Sequence, residues 1–103
     1  MKDNIETISM VQHQLAMNTV KFEKALTGYR TSMQDQERIR CKAIMDDQIG
    51  LIKQGVAELR RKGIHKQEVK VEEEYKQFTM TGSEESYAAL KHDIQTLRDY
   101  NNS

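Results

Sequence analysis

Apolar side chains recur along the first thirty residues at steps of three and four. The row runs Ile5, Ile8, Gln12, Leu15, Thr19, Phe22, Leu26, Tyr29, Met33. That stepping lines one side of an α-helix and, sustained over four repeats, has the form of a coiled-coil seam. Ile8, Leu15, Phe22 and Tyr29 stand seven apart, while Gln12 and Thr19 interrupt the alternate row. Polar residues in a seam fix register at some cost in stability. Asp3-Asn4 offers an N-cap, with Glu6 in the first turn to meet the helix dipole. A second row, Cys41, Met45, Ile49, Ile52, Val56, Leu59, repeats the pattern and predicts a second long helix.

Between the two rows lies TGYRTSMQDQE, Thr27 to Glu37. Two readings compete there. A turn near 28–34 would use Gly28 as the residue after a helix end and Ser32 or Asp35 as the next cap. Alternatively one helix runs through residues 4–62, about 90 Å long at 1.5 Å per residue. The turn is the preferred reading. Gly50 and Gly55 sit inside the second row. Each costs roughly 1 kcal/mol against Ala in a helix, so both are expected to admit a closely packed neighbour. LRRKG, Leu59 to Gly63, ends that helix with basic residues in its last turn and Gly beyond it.

Ile64, Val71, Tyr75 and Phe78 predict a shorter third helix over 64–78, with Val69 to the side. TMTGSEES, Thr79 to Ser86, is the clearest turn: Gly82 breaks, Ser83 caps, and Glu84-Glu85 fill the following first turn. Tyr87, Leu90, Ile94, Leu97 and Tyr100 line a fourth helix, with a frayed Asn-Asn-Ser end. The expectation is an all-α fold, a helical hairpin or small helical bundle with coiled-coil-like seams, two long helices followed by two shorter ones, in a single domain over 1–103. Composition agrees: with no Pro, no Trp, five Gly and 31% charged residues, the chain lacks the turns of a sandwich or barrel.

Charge narrows the partners. Sixteen basic and sixteen acidic residues cancel. Residues 1–62 carry eleven Lys/Arg against eight Asp/Glu (+3), and residues 63–103 carry five against eight (−3). Nucleic-acid binders usually show a larger basic excess; this asymmetry fits pairing within the chain or head-to-tail between chains. The lone cysteine, Cys41, forms no internal disulfide and suits a reducing compartment. No apolar run reaches membrane-spanning length, and MKDNIETISM lacks the apolar stretch of a signal peptide. A cytoplasmic protein is expected.

Candidate chemistry begins with Met10, His13 and Met17, which fall within about 60° of arc on the first helix. Thioethers and an imidazole are ligands for soft metals or haem iron. His13 has no carboxylate nearby in sequence to orient its second nitrogen, and Met is a versatile packing residue. A contact surface is the better reading. Met10, Met17 and Val20 form a second apolar stripe roughly opposite the Ile8-Leu15-Phe22 seam. A helix apolar on two sides is either sandwiched in its own bundle or shared with a partner. Cys41, on the second seam with no His in its turn, reads as a small buried residue.

Asp46-Asp47, Glu72-Glu73-Glu74 and Glu84-Glu85 show neither EF-hand nor Glu-x-x-His spacing and read as solvated faces. His65 and His92 stand alone. P-loop, GxGxxG and GxSxG motifs are missing. The basic stretch Lys53, Arg60, Arg61, Lys62, His65, Lys66, Lys70 is diluted by Glu58 and Glu68 and has no interleaved aromatic. The expectation is therefore a non-enzymatic protein needing no cofactor or metal. Its partner is another protein, and a homodimer is expected because the long seams exceed what two short helices cover. Such a protein would be an adaptor, a secretion-type chaperone or an inhibitor, binding through Met10, His13, Met17 and Val20. The alternative is a small nucleic-acid-associated regulator using Arg60, Arg61, Lys62 and Lys66.

Overall fold

Four helices make up the computed structural model, which describes residues 2–63 and 70–102, with side chains described for 8–63 and 70–101. They are α1 (Lys2–Thr31), α2 (Asp35–Arg61), α3 (Val71–Thr81) and α4 (Glu84–Asn102). No strand occurs among the described residues. The fold is all-α, two long helices followed by two shorter ones. At 1.5 Å per residue the 30-residue α1 is about 45 Å long, so the first hairpin sets the 51 Å length of the molecule.

The chain leaves α1 at Thr31 and re-enters a helix at Asp35. This rules out one helix through 4–62. The turn differs in detail from the expected one. Gly28 lies inside α1, where a Cβ would stand 2.9 Å from the Cys41 Sγ. It serves close approach of α2, not termination. The N-cap of α2 is Gln34, with no side-chain cap bond, so neither Ser32 nor Asp35 caps it. Ser32 instead braces the turn, its Oγ accepting the Gln34 N–H at 3.2 Å. Helix α1 already includes Asp3 and Asn4, so that pair does not precede it as a cap.

At the far end of α2, Gly63 has φ +75° and its N–H reaches the Arg60 carbonyl at 3.0 Å. The left-handed glycine stops the helix as expected. Residues 64–69, including the expected start of the third helix, lie outside the described residues. Helix α3 ends on Gly82 at φ +61°, whose N–H bonds the Phe78 carbonyl at 2.8 Å. Ser83 Oγ then accepts the Ser86 N–H at 3.1 Å, a side-chain N-cap for α4. The expected fraying at Asn101 does not occur. Asn101 is buried and donates from Nδ2 to the Leu97 carbonyl at 2.8 Å.

Helix α1 packs on α2 and α4, and α3 on α4 and α2. Lys53–Glu72 and Asp46–Tyr75 pairs show α3 running antiparallel to α2. The arrangement is an up-and-down four-helix bundle. Its core takes Leu15, Phe22 and Leu26 from α1, Met45, Ile52 and Leu59 from α2, Tyr75 and Phe78 from α3, and Leu90, Ile94 and Leu97 from α4. Across the diagonal, Phe22 meets Tyr75 edge-on at 5.4 Å and Tyr29 meets Phe78 at 5.9 Å. The polar seam residue Thr19 is fully buried and bonds the Ala16 carbonyl at 2.6 Å. Its hydroxyl is thus satisfied within its own helix. Gly55 admits Leu15, whose Cδ1 would lie 3.2 Å from an added Cβ. Gly50 has nothing within 4 Å, so the expected close neighbour is missing there.

Candidate functional site

The stripe opposite the α1 seam faces outward. Met10 is 72% exposed, Val20 46% and Met17 44%, and His13 is exposed between them. This overturns the alternative in which the stripe is sandwiched inside the chain's own bundle. Helices α2 and α4 flank the Leu15-Phe22 seam and leave the far side of α1 bare. The structure thus keeps Met10, His13, Met17 and Val20 together on one face.

That face continues onto α2. Leu51 and Ile44 are exposed large apolar residues seven apart on α2. An open cleft of about 540 Å³ between α1 and α2 is lined by Met10, Val11, Leu15, Leu51 and Gly55 and by the polar Gln14, Asn18, Gln54 and Glu58. Sequence reasoning missed Leu51 and Ile44. The signal was there in their seven-residue spacing beside the α2 seam. Among the described residues, no group of three His, Cys, Asp or Glu side chains is placed to hold a metal ion.

The basic segment at the end of α2 is interleaved with carboxylates. Arg60, Arg61 and Lys62 are exposed. Glu58 pairs with Arg61 and lies 3.6 Å from Lys62. Arg60 lines a second cleft, about 300 Å³, between α2 and α3, together with Lys53, Glu72 and Glu73. Lys53 and Lys76 both reach Glu72, at 3.2 and 3.5 Å, and hold its carboxyl below the usual range. Lys66 and His65 lie outside the described residues.

The carboxylate runs are not uniformly solvated, contrary to expectation. Asp46 accepts the Tyr75 hydroxyl; burial first, then that bond, push the phenol up. Glu74 is half-buried against Asp93 of α4; burial, then the contact with Asp93, raise its carboxyl to about 8. Neighbouring residues on a helix point about 100° apart, so the three acids diverge, and the docking of α3 on α4 turns Glu74 inward. His92 is not alone either, since its Nδ1 lies 3.1 Å from Asp93. Glu23 and Arg98 tie α1 to α4 at 3.2 Å. Cys41 is buried as expected, and burial pushes its thiol up, away from the reactive thiolate.

No known protein family, curated protein or solved structure matches this chain. Among the described residues, no helix is long and apolar enough to cross a membrane.

Proposed function

We propose that this protein is a non-enzymatic interaction module that works as a homodimer, the α1/α2 face of one copy covering that of the other. One observation carries the reading: Met10, Met17 and Val20 of α1 and Leu51 and Ile44 of α2 are large apolar residues left exposed on the outside of one hairpin. Exposed large apolar side chains favour association, since covering them removes roughly 25 cal/mol of unfavourable hydration per Å².

The choice of a second copy rests on charge. A two-fold interface has to be self-complementary. In the hairpin, Leu15 is level with Gly55 and Gly28 with Cys41. By that register Met17 stands within a turn of the level of Leu51, Lys24 of Asp47, and His13 of Glu58. A two-fold axis parallel to the helices lays α1 over the partner's α2 at the same level. Met17 then meets the partner's Leu51, and Lys21 and Lys24 meet the partner's Asp47. The functional class is that of an adaptor, a secretion-type chaperone or an inhibitor, none of which needs a catalytic group. The lone buried thiol, Cys41, supports the cytoplasmic reading.

Charge placed in the interface tests the proposal. The double variant Met10→Glu, Met17→Glu buries four carboxylates in a dimer. Both side chains are exposed in the single chain, so helicity by circular dichroism is expected to stay unchanged. The mass by light scattering is expected to fall to that of one chain. A variant that keeps the wild-type dimer mass contradicts the proposed face.

A further inference from the structure

We propose that Glu74 and Asp93 share a single proton and form an alkaline-sensitive latch between α3 and α4. This stands independently of the dimer. The register between the two helices is fixed at their corner, where the Thr81 and Ser86 hydroxyls lie 3.3 Å apart. Seven residues back along α3 from Thr81 is Glu74; seven residues on along α4 from Ser86 is Asp93. Seven residues is close to two helical turns, so the two carboxyls face each other as the two hydroxyls do. Between these levels the Phe78 and Tyr87 rings pack with centroids 6.0 Å apart.

Both acids are half-buried, and the Oε1 of Glu74 is buried without a hydrogen-bond partner. Ionised carboxylates offer only acceptors, so a bond between two of them requires a proton on one. Burial and Asp93 together push the Glu74 carboxyl up to about 8, and the bond from Glu74 holds Asp93 below its ordinary value. A single proton is therefore held between Glu74 and Asp93, and the two titrate as a pair.

Facing Glu74 are Asp93 on α4, with His92 beside it, Glu73 on α3 and Lys70 at the N-cap of α3. Among the described residues, the α2 groups that meet α3 are Lys53, engaged by Glu72, Asp46, engaged by Tyr75, and Arg60, which lines the α2/α3 cleft with Glu72 and Glu73. The α1 groups that meet α4, Glu23 and Arg30, are engaged by Arg98 and Glu84.

The sign follows from linkage. Glu74 binds its proton more tightly in the fold than in the unfolded chain. Stability therefore falls as pH rises from the ordinary glutamate range to about 8. Above that, two like charges are left in contact, and the eleven-residue α3 is the element they push away from α4. Asp93 acts oppositely, its share being lost only as pH falls through its lowered value.

The test is carried out on the full chain. The Glu74 side-chain carboxyl carbon is titrated by NMR, and urea midpoints are measured from about pH 6 to pH 9.5, spanning the Glu74 value of about 8. The wild type is expected to titrate at Glu74 near 8 and to lose midpoint over that window. Glu74→Gln keeps the donor without a titrating proton and is expected to flatten the profile. Asp93→Asn removes the like charge and is expected to lower Glu74 part of the way, burial still holding it raised, so that the slope shrinks without vanishing. Should Glu74→Gln not fold, Asp93→Asn alone carries the test. A wild-type Glu74 titrating near the ordinary value of about 4.3 overturns the proposal, as does a folded variant that keeps the wild-type slope.

Discussion

Gly28 and Gly50 are both helix-interior glycines, and the bundle treats them oppositely. An added methyl at 28 would stand 2.9 Å from the buried Cys41 Sγ; at 50 it meets nothing within 4 Å. Gly50→Ala is therefore expected to stabilise the protein by roughly 0.5–1 kcal/mol, the helix-propensity difference. Gly28→Ala is expected to destabilise it by about 1–3 kcal/mol through overpacking, and a Cys41→Ala background should remove most of that penalty. Urea unfolding of the three variants checks both signs. The sequence could not separate the two glycines, because the period of one helix says nothing of its register against another. The same limit applies to Glu72, Glu73 and Glu74. Their spacing shows that they diverge, and only the docking of α3 decides that Glu74 turns inward while Glu72 meets Lys53 and Lys76.

The elements whose ends are marked by special backbone were the most legible. Gly82 at φ +61° and the Ser83 cap match what TGSEES encodes. Ser83→Ala is expected to cost about 1 kcal/mol and to speed amide exchange in the first turn of α4 while leaving α1 and α2 protected. Equal loss of protection in all four helices would contradict a local cap. The turn at 32–34 was legible in place but not in mechanism. It has neither Gly nor Pro, and its cap residue Gln34 makes no side-chain cap bond. What holds it is a Ser32 hydroxyl bridging two residues on, a contact with no strong sequence signal. The end of α4 misled for a related reason. Asn101 is polar and near the end of the sequence, yet its amide bonds back to the Leu97 carbonyl and it is buried with the seam.

At the scale of the molecule, the period of α1 identified two apolar sides but not which one the bundle would cover. That choice depends on where α3 and α4 dock, and therefore on the connections, which carry no hydrophobic period. The structure packs α4 and α2 beside the Leu15-Phe22 seam and leaves Met10, Met17 and Val20 outside with Leu51 and Ile44. Two features of the bundle thus lie apart: an apolar outer face on the long hairpin and a proton-sharing pair on the short one. The dimer reading depends on the first alone. Its most direct test is the absolute mass of the wild-type chain by light scattering on a size-exclusion column, across a wide concentration range. The account predicts twice the 12.0 kDa chain mass, falling toward a single chain only on dilution. A uniform mass of 12.0 kDa at every concentration would contradict it and leave the Met10-Met17-Leu51 face to a partner other than a second copy.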